Sequence, residues 1–315
     1  MKSRISVIIP NYNHAPYLED RIKSVLEQSY TNFELIILDD CSTDTSVSII
    51  DKFRDHPKIS QIIINKENSG STFKQWNKGV DAANGEWIWI AESDDIAEVD
   101  FLEKTVQNIS KNSVLSYSQS SKMNSQGIIT GSWRSQTENL SSVFSRDFSM
   151  NGIDFITQFL TNSNVIPNAS AVIFKKDAFL QAGKTDEDIR YNSDWLLWLK
   201  ILLKGDVSFC ASTLNHFRYH EKSVIANSKN EHSIPFLKKY DIIMLERFLT
   251  QLKKDRETLI NKVKLQIAEF SFQEGVFLFN KNFKKEAFKF WKKYYSYSPQ
   301  KKLSVKRILK VILHK

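Results

Sequence analysis

The chain of 315 residues has only two cysteines, Cys41 and Cys210. Two thiols so far apart in sequence supply neither a disulfide framework nor a cysteine-based zinc site. No run approaches the roughly 20 apolar residues of a membrane-spanning helix. The N-terminus enters an apolar strand pattern with no leader signal, so a cytoplasmic protein is the expectation. No GxxxxGK(S/T) loop occurs, which argues against a P-loop kinase. No GxGxxG follows Ile9, which argues against a dinucleotide fold. With 41% apolar and 25% charged residues, the composition is that of an ordinary globular protein and excludes disorder.

The charge is unevenly placed. Residues 231–315 hold 20 Lys+Arg against 8 Asp+Glu, whereas residues 1–230 are mildly acidic. This sets a body of residues 1–230 apart from a basic C-terminal extension, 231–315. In the body, short apolar strands alternate with helical patterns. Ile5–Ile9, Phe33–Leu38, Ile59–Ile64 and Trp87–Ala91 read as strands. Helices are expected from Pro16 onwards and over 44–53 and 72–83, an order that implies a parallel sheet with helices on both faces. After Ser110 the pattern loosens. Strands are expected at 114–118, 127–132, 169–174, 207–210 and 213–219, and the Ser/Asn/Gln-rich stretch 120–150 reads as a mobile loop region. Asp194–Leu203 reads as a helix with an apolar face. The extension reads as helices near 236–253, 256–279 and 283–295, followed by a tail. Gly275, Phe279, Ala287, Trp291 and Pro299 faintly echo one tetratricopeptide unit, though a plain helical hairpin explains them as well.

Two strands run straight into carboxylates: FELIILDD at 33–40 and EWIWIAESDD at 86–95. Acid is thereby placed at the carboxyl edge of a sheet, where open α/β folds bind ligands. Gathered like charges repel unless a cation holds them, and a divalent metal does so most simply. Nucleotidyl, phosphoryl and glycosyl transfer all use such a metal-bound phosphate. Tyr12, after the first strand, offers a flat face for stacking a base. Asp40, after the second, offers an acceptor for the imide N–H of uracil or thymine.

The segments SVIIPNYN at 6–13, LDDCSTD at 38–44, GEWIWIAESDD at 85–95 and NSDWLLWLK at 192–200 resemble glycosyltransferase family 2. Their order and spacing carry the resemblance over about residues 3–225. It implies an inverting enzyme of the GT-A fold, α/β with a mostly parallel mixed sheet and flanking helices. The nucleotide-sugar half would be about residues 1–110 and the acceptor half about 111–230. Residue by residue, it implies that Pro10 and Tyr12 lie against the base and that Asp40 bonds its imide. Asp44 lies nearby, towards base or ribose, or else caps a helix. Asp94 matches the metal-binding aspartate of the DxD motif, and Glu92 stands where the first Asp usually does. Asp95 is a candidate for the donor sugar or for bracing the metal ligand. The stretch from Asn68 to Gly79 borders the nucleotide. Where many members have an Arg before the Asn, this chain has Trp76, so Lys74 or Lys78 would supply the positive charge. Asp194 falls on the catalytic base, and opening an apolar helix beside tryptophans suits a carboxylate of raised proton affinity. His220 is implied near the metal or diphosphate and Arg218 at the diphosphate, with His216 structural and Ser223 undecided.

The expected reaction moves a sugar from a nucleotide-sugar, with UDP preferred, to a glycan or lipid-linked acceptor of a bacterial surface, using Mn²⁺ or Mg²⁺. A sugar nucleotidyltransferase would need a Gly/Arg/Lys-rich first loop that is missing here. A nucleic-acid-binding role has no recognised module in the tail and an acidic body against it, so no nucleic-acid partner is expected. In the tail, Val305, Ile308, Leu309, Ile312 and Leu313 share a helical spacing among Lys301, Lys302, Lys306, Arg307 and Lys310. Such a helix suits peripheral contact at the inner face of a membrane, or docking on protein.

Overall fold

The first three parallel pairings of the sheet join the segments most apolar in sequence. In the computed structural model, which describes residues 4–189, 191–221 and 236–313, β1 (Ile5–Asn11) pairs in parallel with β2 (Phe33–Asp39) and β4 (Trp87–Ile90). β2 pairs in parallel with β3 (Ile59–Ile64). β1, β2 and β4 are buried along their whole length, as strands covered on both faces must be. The connecting helices are α1 (Ala15–Leu26), α2 (Ser46–Asp51) and α3 (Thr72–Ala82). Leu18, Ile22 and Val25 of α1 enter the core beside Trp87 and Trp89. Gly79 lets α3 lie close on the sheet, since a Cβ there would come within 2.5 Å of Ile8 Cγ2.

Beyond β4 the sheet becomes mixed. After β5 (Ile96–Ala97) and α4 (Phe101–Gln107) come β6 (Ser113–Met123), β7 (Ile129–Ser132), α5 (Arg134–Glu138), β8 (Phe148–Met150) and α6 (Gly152–Phe155). Next are β9 (Val172–Lys175), α7 (Lys176–Gln181), α8 (Ser193–Leu202) and β10 (Asp206–Arg218). The main strand order is β3-β2-β1-β4-β9-β6-β10-β5, with β7 on β6 and β8 on β10. β9 runs antiparallel to both β4 and β6, whereas β6 and β10 are parallel. The two strands expected at 207–210 and 213–219 are one strand whose register shifts at Cys210/Thr213. The stretch expected as a mobile loop is structured, because its hydroxyls are satisfied inside the sheet. Ser120 donates to Asn215 O and Ser121 Oγ meets His216 Nδ1 at 2.6 Å, so a polar sequence extends a buried strand.

The chain divides into two compact units, Met1–Phe155 with Asn164–His220, and Ile156–Ser163 with Glu221–Lys315. In the second unit, α9 (Phe236–Gln251), α10 (Glu257–Asn280), α11 (Lys284–Tyr297) and α12 (Lys301–Leu313) follow one another. α10 and α11 form a hairpin around Phe279, Ala287 and Trp291, against which Ile308 and Ile312 of α12 also pack. Gly275 makes the crossing possible, since a Cβ there would meet Trp291 Nε1 at 2.3 Å. The apolar face expected of the tail is therefore divided. Ile308 and Ile312 are docked, while Val305, Leu309 and Leu313 stay exposed. No helix among the described residues is long and apolar enough to cross a membrane.

Candidate active site

The carboxyl ends of β1, β2 and β4 bring three loops together, each stitched to the next by side chains. Asn11 donates to Asp39 Oδ2 at 2.7 Å, and Asn13, in the left-handed region at φ 56°, accepts from Thr43 N at 2.8 Å. Pro10 is buried within β1, and Tyr12, one residue past the strand, is 45% exposed and presents its ring. Asp44 accepts from the backbone amides of Ala15 and Ser46, both at 2.9 Å, and so holds the beginnings of α1 and α2. Burial alone would push its carboxyl up, but these bonds hold it below the usual carboxylate range.

Asp40 is 4% exposed and accepts from Asn65 Nδ2, Ser69 N, Ser69 Oγ and Gln75 Nε2. Four donors fill the roughly four lone-pair positions of a carboxylate, so a base N–H would reach it by displacing the rotatable Ser69 hydroxyl. Asn68 Nδ2 donates to Asp40 O at 3.0 Å and closes the same loop. Lys78 donates to Asn65 Oδ1 at 2.5 Å and Lys74 to Ser69 O at 3.2 Å, both from the exposed face of α3.

The acidic motif after β4 is the electrostatic centre. Pairing of Ile96 with His216 and Ala97 with Asn215 lays the motif alongside the end of β10. His220 Nε2 meets Asp94 Oδ2 at 3.0 Å. Burial raises the Asp94 carboxyl, but that hydrogen bond and the nearby His14 and His220 outweigh it and hold the group below its ordinary value. Asp95, 1% exposed, accepts from Arg218 N at 2.9 Å; burial and the neighbouring Asp94 push it up to about 7. Burial and Asp94 likewise push Glu92 up to about 8, against the bond it accepts from Trp76 Nε1 at 2.7 Å. The two positions where this chain departs from the family pattern, Trp76 and Glu92, are thus partners.

A buried cation, Arg21, compensates the acidic motif. Fully buried on α1, it donates from Nε to Glu92 O at 2.8 Å and stands 5.2 Å from the centre of the Trp89 ring. Its Nη1 and Nη2 have no hydrogen-bond partner among the described residues. Burial draws the guanidinium down to about 10 while Asp95, Asp94 and Glu92 pull it up, so it stays charged beneath the three carboxylates. The sequence carried a signal for it, since Arg21 falls on the face of α1 marked by Leu18, Ile22 and Val25. Arg218, expected at the diphosphate, is 3% exposed. It donates to Asp94 O at 2.7 Å and to Ser125 O at 3.2 Å and lies 4.7 Å over the Tyr17 ring. It acts as a strut between the acidic motif and the β6–β7 turn. His216 bonds Ser121 and Glu98, and Ser223 lies outside the described residues.

Asp194 is the second residue of α8, and Asn164 Nδ2 approaches its Oδ2 at 3.5 Å. Burial pushes its carboxyl up, and the helix-end amides of Trp195 and Asp194 oppose this without reversing it. Trp198, one turn further along the same face, lies with its ring centre 6.4 Å from that of Trp76, which bonds Glu92. This contact path ties α8 to the acidic motif. Two imidazoles and a carboxylate, His14, Asp94 and His220, offer ligand atoms all within 4.8 Å of one another, a donor set that fits a divalent cation.

GlyG, a glycosyltransferase of Streptococcus pneumoniae, is 37% identical over 109 residues, 35% of this chain and 36% of GlyG. TarS of Staphylococcus aureus, a poly(ribitol-phosphate) beta-N-acetylglucosaminyltransferase, is 36% identical over 96 residues, 29% of this chain and 16% of TarS. The matched segments therefore span well under half the length of these relatives. The crystal structure of TarS 1-349 with UDP-GlcNAc superposes with a TM-score of 0.62 at 16% identity, covering 93% of this chain and 91% of that one. The mannosyltransferase PcManGT of Pyrobaculum calidifontis, in complex with GDP-Man and Mn²⁺, gives 0.62 at 14% identity, over all of this chain and 81% of that one. The GT-A-like fold expected from the resemblance is the fold these structures share. The profile of glycosyl transferase family 2 matches residues 6–179, more than half of the sequence, and the chain belongs to that family.

Proposed function

We propose that the protein is a metal-dependent inverting glycosyltransferase that moves a sugar from a UDP-sugar to a glycan or lipid-linked acceptor in bacterial surface polysaccharide synthesis. The observation that carries this reading is the Asp94–His220 pair at 3.0 Å, set at the carboxyl edge of the parallel strands beside Asp95 and Glu92. TarS and PcManGT, crystallised with UDP-GlcNAc and with GDP-Man and Mn²⁺, lend it a donor class. Tyr12 stacks on the base, while Asp40 and Asn68 hold the loop that closes around it. A cation at Asp94 and His220 would neutralise the charge gathering on the diphosphate as it leaves. Asp194 takes the proton of the acceptor hydroxyl, and that oxygen bonds to C1 of the sugar. The C1–O bond to the diphosphate breaks on the opposite face and its electron pair departs with the nucleoside diphosphate. A single displacement inverts the anomeric carbon without a covalent sugar–enzyme intermediate.

Binding measured by calorimetry tests this. UDP-sugar is expected to bind in Mn²⁺, to lose most of its affinity in EDTA, and to bind Asp94→Ala as weakly as it binds the wild type in EDTA. UDP is expected to bind more tightly than GDP. Donor affinity indifferent to EDTA removes the metal from the reading, and tighter GDP binding removes uridine.

A further inference from the structure

His14 has no part in the family resemblance. It lies in the turn between β1 and α1, and its Nδ1 meets Ser93 Oγ at 2.8 Å. Ser93 is the buried residue between Glu92 and Asp94. The His14 ring stands at 89° to that of His220 with centres 5.3 Å apart. We propose that His14 is a third ligand of the cation held by Asp94 and His220, and that the resulting set of two imidazoles and one carboxylate selects a transition ion such as Mn²⁺ over Mg²⁺. The proposal rests on the reading of Asp94 and His220 as metal-binding.

Three observations carry it. The 3.0 Å between Asp94 Oδ2 and His220 Nε2 is the spacing of adjacent ligands at right angles on an ion with bonds of about 2.1 Å. The three ligand atoms lie within 4.8 Å of one another, beyond the about 4.2 Å of opposite ligands on such an ion by no more than turning an imidazole covers. With Nδ1 engaged by the Ser93 hydroxyl, His14 has Nε2 left for the ion, the arrangement of a ligating histidine braced through its second ring nitrogen. The acidic motif thus supplies one ligand, Asp94, and orients another through the residue beside it. Selectivity follows from the donors. Mg²⁺ favours an all-oxygen shell and sheds water reluctantly, so exchanging two of its waters for imidazole nitrogens disfavours it more than it disfavours a transition ion.

The test uses the full chain without nucleotide, titrated with Mn²⁺ and followed by electron paramagnetic resonance. Pulsed measurements are expected to detect two imidazole nitrogens on the bound ion in the wild type and one in His14→Ala. Mn²⁺ affinity is expected to fall roughly tenfold or more in His14→Ala, and less in Ser93→Ala, which retains both nitrogens. Mg²⁺ is expected to displace Mn²⁺ more readily from His14→Ala than from the wild type. A single imidazole on the wild-type ion overturns the proposal even where the variant does not fold, as does unchanged affinity in a folded His14→Ala. Both of those results leave Asp94 and His220 as ligands. A wild type that binds no Mn²⁺ at all overturns the metal reading together with this one.

Discussion

At Asp194 the burial that raises proton affinity suits the base role proposed for it. A carboxylate desolvated at the start of an apolar helix holds its proton to higher pH than an ordinary aspartate. As a base it must be ionised, so kcat/KM is expected to rise with pH along a limb lying above the usual carboxylate range. Asp194→Asn is expected to keep donor binding, cut transfer by roughly 10²–10⁴-fold and erase that limb. Transfer within a few-fold of wild type reduces Asp194 to a helix-end residue. Arg21 invites a different experiment. Removing one partner from a buried charge cluster costs about 3 kcal/mol, because the remaining charges are left uncompensated. Arg21→Met is therefore expected to lower the melting temperature in EDTA and to be rescued by Mn²⁺ more than the wild type is, since a bound cation replaces the lost charge. Equal shifts on adding Mn²⁺ to both proteins sink the idea that Arg21 balances Glu92, Asp94 and Asp95.

Among the elements, the α10–α11 hairpin makes the sharpest demand on one position. Alanine for glycine inside a helix is worth up to about 1 kcal/mol, but a Cβ at Gly275 meets the ring of the buried Trp291. Overpacking of that kind costs about 1–3 kcal/mol, so Gly275→Ala is expected to lower the melting temperature despite its better helix propensity. A rise in melting temperature contradicts the close crossing. The strands β1, β2 and β4, and the carboxylates that end β2 and β4, were legible in the sequence because both signals are local: an unbroken apolar run, then acid. The sequence shows β6 only as far as Ser118, because Gln119, Ser120 and Ser121 look like loop residues until their partners on other elements are known. Trp76, Arg21 and His14 escaped for the same reason. Their meaning lies in Glu92 and Ser93, distant in sequence, and no periodicity reports a hydrogen bond across a fold.

For the whole molecule, the division of charge is the property with the widest consequence. On α12, Val305, Leu309 and Leu313 form an exposed stripe at four-residue spacing, flanked by the exposed Lys302, Lys306 and Lys310. Arg307 is spent on Glu269 at 2.9 Å and stacked on Phe272, so it belongs to the protein side of the helix. Each basic residue near an anionic surface contributes about 1 kcal/mol, enough for the stripe to seek anionic vesicles at low salt. Leu309→Glu with Leu313→Glu is expected to abolish co-sedimentation with phosphatidylglycerol vesicles while leaving UDP binding intact; undiminished co-sedimentation assigns the stripe elsewhere. The placement of β9 has a consequence for synthesis. β4 leaves the ribosome with one edge unpaired, and its neighbour β9 follows only after Lys175 has been made. At 5–20 residues per second, that is a wait of about 4–17 s. Arg218 and His220 arrive later still, so on a nascent chain the first four strands stand with an open edge and unbraced acids, the kind of exposed edge that favours aggregation.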